Sequence, residues 1–179
     1  MNQSLRLAFC SMVTAVSAIL MFLAGVIPVG TYAIPALAGV LLLAVVVELG
    51  PGWSWSVYLA VSLLSAWICA DKEAVLFFVL LFGCYPILKA GIEKKAGRLF
   101  GTVLKFALFN FAAILEFFLA TCLLSVPRSS YTVFGVYLPW VFLAAGNLVF
   151  AVYDYALSLL AAAYWKKWHG MVSKWLHSR

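Results

Sequence analysis

Residues 71–89 read DKEAVLFFVLLFGCYPILK, and this stretch decides how the rest of the chain is interpreted. No residue between Ala74 and Leu88 carries a formal charge, so the segment can cross a lipid bilayer as a helix that satisfies its own backbone. It begins with charges of both signs and ends at Lys89, which opens a basic run. We therefore expect its two ends on opposite sides of a membrane. A bend is expected near Pro86, because proline lacks a backbone donor and clashes with the preceding turn.

The composition places the chain among integral membrane proteins. Hydrophobic residues make up 66% of the 179 residues and charged residues only 10%, and the mean hydropathy is +1.09. One soluble core cannot hide that much apolar surface. The net charge of +6 comes from basic residues at the ends of apolar segments. This placement favours a role in membrane topology and predicts no nucleic-acid partner.

The apolar segments predict an all-α, polytopic protein with six transmembrane helices in one domain, residues 1–164. A basic, amphipathic cytoplasmic tail is predicted for residues 165–179. The first apolar stretch is longer than the core of a signal peptide, about 7–15 residues, so we expect a retained helix. The predicted crossings are approximately residues 7–27, 33–49, 53–70, 71–89, 102–124 and 136–164.

The basic residues predict the orientation of the chain. The sequence contains 12 lysines and arginines, and the six predicted crossings place most of them on one side. Since basic residues concentrate on the cytoplasmic side, both termini are predicted to be cytoplasmic in a multi-pass protein of the bacterial plasma membrane. The cytoplasmic group is Arg6, Lys89, Lys94, Lys95, Arg98, Lys105, Lys166, Lys167, Lys174 and Arg179, against Lys72 and Arg128 on the outer side.

Four polar residues fall at membrane depth on the last two predicted helices, where polar groups are costly unless they pair or line a cavity. With a rise of about 1.5 Å per residue, Glu116 and Asn147 both lie about 12–13 Å from the outer boundary. Asn110 and Asp154 lie at about 21–24 Å by the same arithmetic. Antiparallel packing of the two helices would then form a polar seam with two layers.

Two interpretations of this polar seam remain open. Hydrogen bonds could join Asn110 to Asp154 and Glu116 to Asn147, each contributing about 0.6–2 kcal/mol. Alternatively, a pocket open to the outer side could bind a small ligand with hydrogen-bond donors. Glu116 and Asn147 would form its floor. Its predicted walls are Tyr32, Trp67, Tyr137 and Trp140.

No motif for catalysis or metal binding is present. The chain lacks GxSxG, HExxH and P-loop patterns, so we predict neither an enzyme nor a bound cofactor. His169 and His177 lie in the tail without acidic or cysteine partners, and no metal site is predicted. Asp154, the deeper acid, could also meet Lys105 or Lys89 near the inner boundary, which would avoid an unpaired buried charge.

The stretch IPVGTYAIPALAGVLL at residues 27–42, together with six short helices and a small-residue first helix, resembles the substrate-binding (S) components of energy-coupling factor vitamin transporters. Residues 71–89 also resemble small membrane proteins of Gram-positive bacteria that are loosely grouped with those components. The resemblance implies a membrane-embedded solute-binding subunit of an ATP-driven importer. Its partners would be a vitamin-like small molecule, a transmembrane coupling subunit and a pair of ATPases.

The resemblance also implies positions for docking and binding. The docking face of the first helix corresponds to Ser11-xxx-Ala15, with Thr14-xxx-Ala18 beside it. The solute site corresponds to the Asp71-Lys72-Glu73 loop and the polar seam. The alternative is a membrane scaffold or assembly factor that recruits partners or anionic lipid through its basic cytoplasmic loop and tail.

Overall fold

The computed structural model describes residues 3–27, 30–122, 132–133, 136–137, 139–167, 169–170 and 172. Helices make up nearly all of this part of the chain. Their bounds are α1 Gln3–Ala24, α2 Gly30–Leu49, α3 Pro51–Ile68, α4 Lys72–Phe77, a π-helix Phe78–Phe82, α5 Tyr85–Lys95, α6 Arg98–Cys122 and α7 Pro139–Lys167. Two two-residue strands, β1 Thr132–Val133 and β2 Val136–Tyr137, pair antiparallel between α6 and α7.

The predicted all-α class is confirmed, and five helical segments of the described chain are long and apolar enough to cross a membrane. These segments are Gln3–Ala24, Gly30–Leu49, Lys72–Lys95, Arg98–Cys122 and Trp140–Lys167. The remaining predicted crossing corresponds to α3, a helix of 18 residues. Its sequence is uncharged but less apolar, because it contains serines and tryptophans among its aliphatic residues.

The outer surface of the helices is apolar. On α1 the buried side chains recur at helical spacing, and the opposite face of the same helix remains exposed and hydrophobic. The same holds across the molecule, where Leu63, Leu99 and Leu148 are 72%, 86% and 74% exposed. Such a surface suits contact with lipid, since each helix satisfies its backbone internally.

Two ends of the helix bundle are defined by hydrogen bonds between distant residues. At the first end, which we call the Asp71 end, Thr31 Oγ1 donates to Asp71 Oδ2 at 2.8 Å. At the opposite end, which we call the Glu48 end, Glu48 Oε1 accepts a hydrogen bond from the Tyr164 hydroxyl at 3.0 Å. These contacts hold α4 against α2 at one end and α7 against α2 at the other.

The segment at residues 71–89 is interrupted close to the expected position. The π-helix places the Gly83 amide 2.7 Å from the Phe78 carbonyl, and α5 then begins with Pro86 in its first turn. Proline tolerates this position because its missing N–H needs no partner there. The Tyr58 hydroxyl of α3 donates to the Val79 carbonyl at 2.7 Å and ties the π-helix to the bundle.

Candidate functional site

A cavity of about 550 Å³ lies between the interrupted segment, α6 and α7, with the first turn of α2 at its edge. Its volume falls within the range of about 300–1,000 Å³ that is common for small-molecule sites. The cavity exists because small residues stand where α6 and α7 face each other, notably Ala112, Ala113 and Gly146. A Cβ atom added to Gly146 would lie 3.2 Å from the ring of Phe109. We call this space the aromatic cavity.

Aromatic side chains make up half of the residues that line the aromatic cavity. They come from every element that encloses it, so the wall is built by tertiary packing and not by one local motif. Two predicted wall residues, Tyr32 and Trp140, line the cavity. Its aromatic lining is Tyr32, Phe77, Phe82, Phe109, Phe117, Phe118, Trp140, Phe142, Phe150 and Tyr153.

Glu116 is the buried acid of the aromatic cavity. The residue is only 6% exposed, and its Oε1 atom has no hydrogen-bond partner among the described residues. A second acid, Glu73, also lines the cavity and accepts a hydrogen bond from the Tyr32 hydroxyl at 3.2 Å. Because an unpaired buried polar group is costly, Glu116 is the group here that most needs a partner.

Asn147 does not form a floor beside Glu116, because its amide pairs with Asn110. The two amides exchange hydrogen bonds, Asn110 Nδ2 to Asn147 Oδ1 at 2.9 Å and Asn147 Nδ2 to Asn110 Oδ1 at 3.0 Å. The pairings expected from depth, Asn110 with Asp154 and Glu116 with Asn147, were therefore wrong. Asp154 lies about two helical turns from Asn147 on α7, so α6 and α7 are shifted along each other by that amount relative to the expected register.

Asp154 instead meets the two lysines that the sequence offered as its alternative partners. It forms ion pairs with Lys89 and with Lys105, the latter at 3.4 Å. Lys105 Nζ also lies 2.6 Å from Glu93 Oε1. Two cations and two acids thus balance at this depth, which lowers the penalty for burying them. The hydroxyls of Tyr85 and Ser158 also hydrogen-bond to members of this group. We call these six residues the Asp154 cluster: Tyr85, Lys89, Glu93, Lys105, Asp154 and Ser158.

The Asp154 cluster lies directly behind the wall of the aromatic cavity. Tyr85 donates a hydrogen bond to Asp154 Oδ1 at 2.6 Å. Its ring packs edge-on against Phe150 and near Tyr153, with centroids 5.0 and 6.0 Å apart. Both of these neighbours line the cavity. A layer of aromatic rings therefore separates the ion pairs from the cavity.

The charged triplet that opens the interrupted segment divides into structural and cavity-lining roles. Asp71 caps α4, since its Oδ1 accepts hydrogen bonds from the Glu73 and Ala74 amides at 3.0 and 3.1 Å. Lys72 Nζ donates to two carbonyl oxygens at the end of α3, those of Ala66 and Cys69, both at 2.8 Å. Of the triplet, only Glu73 lines the aromatic cavity.

The other two predicted wall residues, Trp67 and Tyr137, are not among the described lining residues of the aromatic cavity. Trp67 is 90% exposed and does not line the aromatic cavity. Tyr137 belongs to β2, but its side chain lies outside the described part of the structure. The pocket interpretation thus keeps Tyr32, Trp140, Glu73 and Glu116.

Two of the four predicted docking positions on α1 are exposed. Ser11 and Ala15 are exposed, whereas Thr14 and Ala18 are half-buried. The hydroxyls of Ser11 and Thr14 bond to carbonyl oxygens of their own helix, at 2.9 and 2.8 Å. These two hydroxyl bonds stay within α1, so the docking of a partner helix would not have to break them.

At the Glu48 end, the expectation that His169 has no acidic partner was wrong. The Glu48 carboxylate is only 2% exposed and accepts the Tyr164 hydroxyl, while His169 Nδ1 lies 3.1 Å from the same oxygen. Helix α7 continues to Lys167, past the predicted domain boundary at residue 164. Residues 168, 171 and 173–179 of the predicted tail lie outside the described residues.

The fold and the site together define an all-α protein of the multi-pass membrane type, with an aromatic cavity that contains two acids. Within the described part of the chain, no group of three or more His, Cys, Asp or Glu side chains could hold a metal ion. In comparisons with family models, with curated proteins and with solved structures, nothing matches the chain.

Proposed function

We propose that this protein is a membrane-embedded solute-binding subunit, and that the aromatic cavity holds the solute. The observation that carries the proposal is Glu116, a buried acid without a partner among the described residues, in the wall of a cavity of about 550 Å³. Residues of a packed core normally pair their polar atoms. A ligand that donates to Glu116 would satisfy this requirement.

The proposed topology has six crossings, which are α3 and the five longer apolar segments, and it places both termini in the cytoplasm. The distribution of basic residues supports this orientation, and it places the Asp71 end on the outer side. The aromatic cavity includes Tyr32 and Glu73 from that end. A solute would therefore enter from outside the cell.

The chain has no nucleotide-binding motif, so energy for import would come from partners. By the resemblance to energy-coupling factor S components, we propose that a transmembrane coupling subunit and two ATPases supply it, and that the solute is vitamin-like. The exposed Ser11 and Ala15 on α1 support this docking mode, because small residues let a second helix backbone approach closely.

Copurification tests the coupling part of the proposal. Tagged full-length protein, extracted from the membranes of its own host, should bring down a coupling subunit with an ATPase pair. Ser11→Leu with Ala15→Leu should abolish that association. Met12→Leu on the same helix is the matched control, because Met12 is exposed outside the small-residue face. If wild-type protein never retains the partners, the importer role is wrong.

Solute binding is tested separately by blocking the aromatic cavity. Ala113→Phe places a ring inside the cavity, whereas Ala107→Phe adds the same ring at an exposed position of α6. Candidate vitamins should raise the unfolding temperature of the wild type and of the Ala107 variant. The Ala113 variant should show no such rise. Equal responses from both variants would contradict a solute site in this cavity.

A second candidate function is a membrane scaffold that recruits a partner or anionic lipid. The observation that favours it is a group of exposed basic residues around the turn between α5 and α6, with Lys94 and Lys95 at the end of α5 and Arg98 at the start of α6. Anionic lipid attracts such residues by about 1 kcal/mol each. Reversing these three charges would then abolish function, while Glu116→Gln would leave it intact. The importer proposal expects a strong effect of Glu116→Gln.

A further inference from the structure

The ionisable side chains that line the aromatic cavity are acids. Glu73 and Glu116 face the space, and no lysine, arginine or histidine is among its described lining residues. The nearest buried cations that the structure describes, Lys89 and Lys105, are bound to Asp154 and Glu93 behind the aromatic layer. A ligand with a carboxylate or phosphate would meet two acids and no available cation.

The aromatic wall also favours a positive charge on the ligand. The faces of phenylalanine, tyrosine and tryptophan rings carry negative charge density and attract cations. Phe77, Phe82 and Trp140 supply such rings from three different elements. The same rings offer apolar surface to the remainder of a ligand. A neutral, polar solute such as a sugar would find few hydrogen-bond partners in this wall.

Glu116 gives a position for the positive charge. Its Oε1 atom is buried and lacks a partner among the described residues, whereas Glu73 accepts a hydrogen bond from Tyr32. A hydrogen bond from a charged donor contributes more to binding than one from a neutral donor. An ammonium group at Glu116 therefore satisfies the buried acid better than a hydroxyl does.

We infer that the aromatic cavity selects an organic cation, an apolar amine whose protonated nitrogen pairs with Glu116 while its hydrocarbon body packs against the aromatic wall. This inference rests on the proposed solute-binding function and adds the chemical class of the solute. It excludes acidic solutes from the cavity. Glu73 acts as a second, more exposed acid at the edge of the cavity and attracts the cation as it enters.

Three probes of nearly the same size test this inference: 4-phenylbutylamine, 4-phenylbutan-1-ol and 4-phenylbutanoic acid. Binding to the full-length protein in nanodiscs of zwitterionic lipid is followed by tryptophan fluorescence, with empty nanodiscs as the blank. The amine should bind about tenfold more tightly than the alcohol, the ratio expected when a charged donor replaces a neutral one. The acid should bind most weakly.

Substitution of Glu116 tests whether this side chain is the group that selects a positively charged ligand. Glu116→Gln should remove the preference and lower the affinity for the amine to about that for the alcohol. Glu116→Asp keeps the charge and should retain the preference, and binding of the alcohol by the Gln variant shows that this variant is folded. Glu48→Gln is the control, since Glu48 is a buried acid outside the cavity.

The two proposals fail in different ways. Equal affinity of the wild type for amine and alcohol, or an unchanged amine preference in Glu116→Gln, overturns the inference of a cationic solute while solute binding stands. If none of the three probes binds the wild type, the inference of a cationic solute is wrong, while the solute-binding function stands or falls with the thermal response to candidate vitamins.

Discussion

Asn110 on α6 and Asn147 on α7 exchange a reciprocal pair of hydrogen bonds across the interface between the two helices, at 2.9 and 3.0 Å. Each amide also donates to a carbonyl of its own helix, Asn110 to Phe106 and Asn147 to Leu143, both at 2.8 Å. All four N–H groups are thereby satisfied within an apolar surrounding. Because Leu143 and Gly146 line the aromatic cavity beside Asn147, this pair fixes the register of the helices that form its wall.

The asparagine pair should show a coupling free energy in a double-mutant cycle. Asn110→Ala and Asn147→Ala should each lower the free energy of unfolding, and the double variant should lose less than their sum. We expect a coupling of about 0.6–2 kcal/mol, as for other polar pairs between membrane helices. Unfolding in mixed micelles measures it. Thr121→Ala is the control, because its hydroxyl bonds within its own helix. Strict additivity would contradict the pairing.

Removing one acid and one lysine from the Asp154 cluster should destabilise the protein less than removing the acid alone. Asp154→Asn leaves Lys89 and Lys105 with only Glu93, and removing one member of a buried ion pair costs about 3–5 kcal/mol. Adding Lys89→Met restores the charge balance, so the double variant should be more stable than Asp154→Asn alone. Thermal unfolding of the purified variants checks this order. A double variant that is less stable than the single one would show that charge balance does not govern the cluster.

The helices were predictable from the sequence because length and continuous hydrophobicity are local properties. The predicted crossing at residues 33–49 agrees closely with α2, which spans Gly30–Leu49. A bend was expected near Pro86, since proline removes a backbone donor, and the structure places the π-helix Phe78–Phe82 shortly before this residue. The fold class therefore follows from composition and from the spacing of charged residues, without knowledge of how the helices pack.

The partners of the polar residues were less predictable, because pairing depends on the register between two helices. The depth of each residue was counted from assumed helix ends at about 1.5 Å per residue. In the structure α6 and α7 are shifted along each other by about two turns, so the polar residues of the seam have other partners than expected. Asn147 consequently meets Asn110 and not Glu116. The phenylalanines of the aromatic wall gave no signal either, since a phenylalanine in a membrane helix can face lipid or a cavity; only Tyr32 and Trp140 of this wall were predicted. Phe109 lines the cavity, whereas Phe111 of the same helix is 68% exposed.

Asp71 should be important for stability and unimportant for ligand affinity. Its carboxylate caps α4 and also accepts the Thr31 hydroxyl, and it does not line the aromatic cavity. Asp71→Ala should lower the free energy of unfolding by about 0.5–2 kcal/mol, as expected for loss of an N-cap. Binding of 4-phenylbutylamine should stay unchanged at a temperature where the variant is folded. A clear loss of affinity would place Asp71 in the site, as the sequence suggested.

Gly39 should be intolerant of any side chain, because α2 packs directly against the backbone of the interrupted segment at this residue. A Cβ atom there would collide with the Phe82 carbonyl oxygen and lie 3.0 Å from the Tyr153 hydroxyl. Both neighbours line the aromatic cavity, so the collision cannot be relieved without moving its wall. Gly39→Ala should destabilise the protein by about 1–3 kcal/mol, the usual effect of overpacking, and weaken binding of 4-phenylbutylamine.

Gly91→Ala is the matched control for this prediction, since no atom lies within 4 Å of a Cβ added at Gly91. It should be neutral or stabilise α5 by about 0.5–1 kcal/mol, because alanine favours the helix over glycine. Thermal unfolding and fluorescence titration of the two variants, side by side, separate a general effect of glycine replacement from the close contact. If both alanine variants behave alike, the contact between Gly39 and Phe82 does not hold the wall in place.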